Sequence, residues 1–281
     1  MARIGTQRFQ AMFLRLLRRV APWIVLAAAA SIGVPATADE ALALAQAVHG
    51  RATGRDVTTV SRMELVDKGR TPRVRDIVTY RLDRGGGETV YLIRFLAPTD
   101  IAGTGLLSVN KADGSTDQWL YLPELDRVRR VAADRKGGRF VGSELYFEDL
   151  QERKPALDRH RLLGKETVAG VACEVLESAP IDASTSVYRR RISWVDAQTA
   201  MVLRVDYFEK DDTTPTKRWL LDERKQIQRY WTVTDSRMID LASGRETRLV
   251  VEKALYDRKL PARLFTQQAL ADERFESEYR P

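Results

Sequence analysis

Few side chains in this chain of 281 residues have the types and spacing to do chemistry on a substrate. The sequence holds two histidines and one cysteine. His49 and His160 stand far apart in no ligand pattern, so neither a histidine metal site nor a Ser/His/Asp triad has its parts in evident register. Gly142 and Ser143 resemble the start of a nucleophile elbow, but Glu144 and Leu145 follow and the second glycine of that motif is missing. The adjacent acids Glu148 and Asp149, and Asp211 and Asp212, point to opposite sides of an extended chain, so they read as solvated turns or a helix start rather than as a catalytic carboxylate pair. Cys173 is alone, which excludes an intramolecular disulfide and a cysteine-based metal site; its setting in VACEVLES reads as a buried structural thiol. The sequence therefore implies no cofactor and no metal, and it points away from an enzyme. A hydrolase using Ser143 or His160 is the reading that an ester-substrate screen would test.

Apolar binding has a stronger signal. In WLYLPELDRVRR, Trp119 and Tyr121 alternate with Leu120 and Leu122, so both faces of this segment seek a dry environment. A turn follows, and then Arg127 and Arg129 share one face with Arg130 on the other. Aromatic residues in strands are ordinary core material, and arginines at strand edges discourage aggregation. The functional reading is a greasy surface beside a basic rim that meets lipid headgroups or an acidic partner. Arg189, Arg190 and Arg191 repeat the basic pattern and read as a solvated edge.

The elements that would position these residues are mostly strands. Residues 40–49 (EALALAQAVH) predict a short amphipathic helix with Leu42, Ala45 and Val48 on one face, stopping at Gly50. Segments 57–67, 74–83 and 88–97, and then 168–178, 186–196, 200–210, 215–222, 226–241 and 247–257, are rich in β-branched and aromatic residues. Short polar turns join them, so neighbours pair antiparallel. The Gly85–Gly87 run is a hairpin signal and not a phosphate cradle, since no helix start follows it. The expected fold is mainly β with some α: a large curved antiparallel sheet of roughly 10 to 12 strands, an unclosed barrel, with a few helices over its concave face. One of these helices is expected to open near Ser143 and carry Leu145, Tyr146, Phe147 and Leu150 up to Pro155.

Residues 1–38 read as a secretory signal peptide: Arg3, Arg8, Arg15, Arg18 and Arg19 without an acid, an apolar run too short to span a bilayer, and Ala36-Thr37-Ala38 as a cleavage site. The general secretion route fits this leader better than the twin-arginine route. The chain carries 46 Lys plus Arg against 39 Asp plus Glu, and five of the positives lie in the leader, leaving 41 against 39 in residues 39–281. That near-neutral remainder removes the main support for nucleic-acid binding. No Gly/Ser- or Pro-rich linker divides residues 39–281, which are expected to form a single soluble, exported, monomeric domain.

The run QWLYLPELDRVRRVAADRKGGRFVGSELYFEDL, residues 118–150, resembles the signature region of the LolA-like outer-membrane lipoprotein-sorting proteins. The segments LLGKETVAGVACEVLE (162–177), ISWVDAQTAMVLRVDYFEKD (192–211) and LPARLFTQQAL (260–270) fit the same resemblance. It implies an unclosed barrel with a hydrophobic cavity between sheet and helices, and a periplasmic carrier that shelters acyl chains of lipoproteins or lipids on the way to the outer membrane. Trp119, Tyr121, Leu145 and Phe147 are then the expected lipid contacts, and Arg127, Arg129 and Arg130 the headgroup or partner rim. Contact with membranes would be transient, and an inner-membrane transporter of the resistance-nodulation-division type is an expected partner. The alternative is an accessory or sensor subunit that docks on such a transporter without carrying cargo.

Overall fold

The computed structural model describes residues 38–281, so all of the expected leader but Ala38 lies outside the described residues. Thirteen strands follow the first helix, α1 (Ala38–His49). They are β1 (Asp56–Val66), β2 (Arg73–Gly85), β3 (Glu88–Ala97), β4 (Gly105–Asn110), β5 (Thr116–Leu122) and β6 (Arg127–Arg130), and then, beyond a long connector, β7 (Asp158–Val168), β8 (Val171–Pro180), β9 (Arg190–Asp196), β10 (Met201–Phe208), β11 (Lys217–Ile227), β12 (Tyr230–Asp240) and β13 (Glu246–Tyr256). Two short helices, α2 (Gln267–Ala271) and α3 (Arg274–Ser277), close the chain.

All thirteen strands form one antiparallel sheet in the order β6-β5-β4-β3-β2-β1-β13-β12-β11-β10-β9-β8-β7. Each half is a meander of hairpins, and the halves meet where β1 pairs with β13, from Val57 opposite Tyr256 to Val66 opposite Glu246. The sheet is not closed: its edges are β6 and β7, consecutive in the chain and joined by residues 131–157.

This connector and α1 cover one face, called the inner face here. Strand alternation places Ile77 of β2, Phe95 of β3 and Leu106 of β4 there, with Met63 and Leu65 of β1, against Phe140, Leu145, Phe147 and Leu150 of the connector. Phe140 is fully buried, with ring centroids 5.5 Å from Phe95 and 5.9 Å from Phe147. The opposite registers, Val78, Tyr80 and Leu82 of β2 with Val90, Leu92 and Leu107, face outward. Leu260, Leu264, Phe265 and Leu270 of the C-terminal segment cover them. Arg94 of β3 points to this outer side and is buried with Glu276 of α3 at 3.0 Å. Arg94 also donates to the carbonyls of Gly103 (2.6 Å) and Ala269 (3.2 Å). Gly105 makes room for this arginine, since a Cβ there would come within 2.7 Å of both its guanidinium and Leu270.

Several details depart from the sequence reading. The described residues hold 13 strands, because β4 and β7 were not legible as strands. β7 is an edge strand whose side chains are mostly exposed, so it needs no apolar alternation. Helices cover both faces rather than the concave face alone: α1 lies inside, α2 and α3 outside. The apolar face of α1 is Ala41, Leu44, Ala45 and Val48, turned away from the predicted Leu42. Residues 143–155 form no α-helix. Val141 and Gly142 take positive φ angles (47° and 71°), and the Ser143 hydroxyl bonds within its own turn, accepting from the amide of Leu145 at 3.2 Å. What remains are single 3-10 turns, among them Glu148–Leu150.

Candidate functional site

The connector is tied down by two acids that the sequence suggested were solvated. Glu148 is buried and accepts from the amide of Val187 (2.7 Å) and the hydroxyl of Ser186. Asp149 accepts from Tyr188 Oη (2.7 Å), the amide of Tyr146 (2.7 Å) and Lys217 Nζ (2.9 Å). The Lys217 ammonium lies 3.5 Å from the centre of the Tyr146 ring, a desolvated cation–π contact. Burial first, and then the neighbouring Asp149 charge, hold the Tyr188 hydroxyl far above its ordinary pKa, so it remains a donor. This network fixes the connector to the segment leading into β9 and to the start of β11 from the inside, while Phe140 fixes it to β3.

With the connector in place, the inner face of β8–β10 is left to α1. The helix begins with Asp39 and Glu40 in its first turn and ends at His49, which suits its dipole. Its apolar contact with the sheet is made largely through small side chains: Ala41 and Ala45 are buried against Leu176 and Val195, with Leu44 and Val48 alongside. Small side chains at this contact leave a cavity of about 210 Å³, lined by Val48, Val202, Val205 and Tyr207 among others. One of its walls is polar. Asp158 binds Arg153 (2.7 Å) and Arg191, and His160 spans the Pro155 carbonyl (2.8 Å) and the Ser178 hydroxyl (2.9 Å).

At the end of the sheet where α1 stops, a wider cleft of about 820 Å³ opens to solvent. The loop after α1, the β2–β3 hairpin turn, the β11–β12 turn and the end of β13 form its walls. His49 lines both cavity and cleft, so it stands at the passage between them. Burial first, opposed by Glu152 and reinforced by Lys154, holds His49 below its ordinary pKa, leaving a neutral ring at neutral pH.

The residues singled out from sequence fall into separate groups. Leu145 and Phe147 are on the inner face, in the cluster around Phe140. Trp119 and Tyr121 are on the outer face, half-buried beside Leu107, Val128 and the C-terminal segment, with Tyr121 Oη donating to Asp126 at 3.0 Å. The arginines lie on the edge strand β6. Arg130 faces outward opposite Trp119 and contacts Asp117, while Arg127 and Arg129 pair across to Leu122 and Leu120 on the inner side. Ser143 and His160 are not partners, since each is bonded elsewhere. Cys173 is buried, and burial raises its thiol pKa. Among the described residues no group of three or more His, Cys, Asp or Glu side chains is placed to hold a metal ion. No described helix is long and apolar enough to cross a membrane. Sequence reasoning missed Val202, Val205 and Tyr207: alternation puts Val205 and Tyr207 on one face, and only the register shift between Val202 and Arg204 brings Val202 to the same side; for Arg51 and Arg81 of the cleft it held no signal.

An unclosed antiparallel sheet with an internal connector and a helix over a small cavity defines a LolA-like architecture. A family model described as an uncharacterized-protein family matches residues 87–272. An outer membrane lipoprotein-sorting protein domain from Vibrio parahaemolyticus superposes with a TM-score of 0.78 at 28% identity, covering 84% of this chain and 100% of that one. A DUF1329 family protein from Desulfovibrio piger gives 0.78 and 28%, covering 83% and 98%. A LolA superfamily protein from Nitrosomonas europaea shares the fold at 18% identity, with a TM-score of 0.63 and coverage of 83% and 99%. No curated protein matches the sequence. The chain belongs to the matched family, and it is similar in sequence and fold to the outer membrane lipoprotein-sorting domain and the DUF1329 protein.

Proposed function

We propose that residues 39–281 form a single periplasmic domain that shelters acyl chains of lipoproteins or lipids beneath α1 and carries them toward the outer membrane without catalysing a reaction. The observation that carries this reading is the cavity under α1, walled by Val48 of the helix and by Val202, Val205 and Tyr207 of β10, where the helix packs on the sheet through Ala41, Leu44, Ala45 and Val48. At about 210 Å³ the cavity is below the ~300 Å³ at which small-molecule sites begin, so α1 lifts to admit a chain. Each methylene removed from water contributes ~0.8 kcal/mol, so a few suffice to offset the small contact that α1 gives up. Leu145 and Phe147 continue this surface along the inner face, whereas Trp119 and Tyr121 provide a second apolar patch on the outer face. The leader at residues 1–38 accounts for export.

Native mass spectrometry of the purified protein, before and after delipidation, tests the reading. Stoichiometric acyl lipid that rebinds after removal supports it; a protein that neither retains nor rebinds lipid refutes it. A second reading, docking on an inner-membrane transporter, is favoured by Arg127 and Arg129, which are exposed on the free β6 edge and face no carboxylate among the described residues. Binding to a transporter's periplasmic domain that is lost in Arg127→Glu/Arg129→Glu would support it.

A further inference from the structure

An acyl chain gives no reason for the charge in the cleft beside His49. Arg51 donates to the Trp231 carbonyl at 2.6 Å, and Arg81 to the Gly54 carbonyl and the Tyr91 hydroxyl, both at 3.1 Å. All three acceptors are neutral. Lys154, at the same opening, donates to the Gly87 carbonyl at 2.9 Å. The acids of the cleft are committed to donors other than Arg51 and Arg81. Asp257 accepts from Tyr230 Oη (2.6 Å) and the Arg55 amide (2.8 Å), and Asp83 from the Gly85 amide (2.7 Å). Glu152 accepts from Thr89 (2.7 Å) and Tyr91 (3.1 Å), with His49 at 3.6 Å and Lys154 at 3.9 Å.

Burial depresses the pKa of Arg51; Tyr256 opposes this, and Arg81 lies near enough to add to the depression. Two like charges thus share a partly desolvated cleft with no carboxylate paired to either, an arrangement that an anion from outside relieves. Gly54 takes a φ of +72°, and a Cβ there would come within 3.0 Å of the Tyr256 ring, so glycine is needed for the carbonyl that orients Arg81. The planar guanidinium forks suit the paired oxygens of a phosphate.

We propose that this cleft is an anion site for a phosphate ester, held by Arg51 and Arg81 with Lys154 as a third cation. The site stands on its own geometry; it rests on the carrier reading only for its natural source, since a phosphate seated there lies beside His49 at the entrance to the cavity beneath α1 and so marks the headgroup end of an anionic phospholipid cargo.

The test is calorimetric titration of the full exported protein with inorganic phosphate, with short-chain phosphatidylglycerol, with short-chain phosphatidylcholine, and with an uncharged monoacylglycerol. Phosphatidylglycerol should bind more tightly than phosphatidylcholine, with affinity falling as salt rises. Arg51→Gln should weaken phosphate and phosphatidylglycerol binding by about tenfold or more, as expected for losing a hydrogen bond to a charged group, and Arg51→Lys should recover part of the loss. Arg62→Gln, at an ion pair with Glu252 on the outer face, is the control and should change neither. Arg51 makes a single backbone bond, so its variants should keep the wild-type melting temperature; a variant that does not fold is replaced by Lys154→Gln, for which the same loss is expected. Tighter binding of phosphatidylglycerol than of inorganic phosphate identifies the headgroup as the source, and equal binding a free anion. Absence of phosphate and phosphatidylglycerol binding, or affinity unchanged in the glutamine variants, overturns the proposal. Monoacylglycerol binding that survives such a result leaves the carrier reading standing, and its absence alongside intact phosphate binding sinks the carrier reading alone.

Discussion

Replacing Lys217 by methionine should be among the most destabilising changes that leave the sheet's apolar core untouched. Its side chain is 1% exposed and that of its partner Asp149 is 4% exposed, so the substitution strands a carboxylate away from water. Removing one member of a buried ion pair costs about 3–5 kcal/mol. Asp149 keeps two of its three donors, Tyr188 Oη and the Tyr146 amide, which moves the expectation to the lower part of that range. The cation–π contact with Tyr146 is lost as well, so about 3–4 kcal/mol is expected. For a domain of this size each kcal/mol lowers the melting temperature by ~2–4 °C, giving a fall of roughly 6–16 °C in a circular-dichroism melt. Combining Lys217→Met with Asp149→Asn should recover part of the loss, because the stranded charge is then gone. A fall of under about 2 °C in the single variant would refute the reasoning, since it would mean that water reaches the pair and that the connector is not anchored there.

Phe140→Ala should cost about 3–5 kcal/mol in urea unfolding, because a fully buried ring that touches both Phe95 and Phe147 is removed. Burial raises the Asp206 carboxyl, but hydrogen bonds from Arg218 (2.6 and 2.8 Å) and Arg204 (3.0 Å) outweigh it and hold its pKa below the carboxylate range. A depressed carboxyl stabilises the fold above its unfolded value of about 3.9 and loses that contribution as pH falls through the folded one. Asp206→Asn should therefore be less stable than wild type at pH 7, with the two curves converging as pH falls through the folded carboxyl's depressed pKa in melts across the pH range. Cys173, buried and raised in pKa, should react with a thiol reagent only after denaturant is added, and rapid labelling of the native protein would contradict its placement.

The strands were legible because their chemistry is local. In β2, alternating Val78, Tyr80 and Leu82 declare a strand whatever lies elsewhere in the chain. β7 escaped because an edge strand in DRHRLLGKETV needs charge more than alternation. The connector escaped for a different reason: Glu148 and Asp149 take their partners from Ser186, Val187, Tyr188 and Lys217, remote in sequence, so no local rule marks them as buried. Alternation does put Trp119 and Tyr121 on a common face. That this face lies under the C-terminal segment, away from Leu145 and Phe147, follows only once Leu264 and Leu270 are seen to cover it. The cavity beneath α1 likewise depends on a helix packing through Ala41 and Ala45 onto strands more than a hundred residues away.

Pairing of β1 with β13 gives the molecule a temporal order. Every other neighbouring pair of strands is consecutive in sequence and can form as soon as its hairpin exists, whereas the Arg55 amide finds Asp257 only across 202 residues. Either half-sheet alone would leave its β1 or β13 edge unpaired, exposing the backbone groups that the other satisfies. Joining the halves is the one long-range strand pairing of this topology, and it needs β13. If the chain is exported N-terminus first, as proposed, its sheet stays incomplete until β13 has emerged.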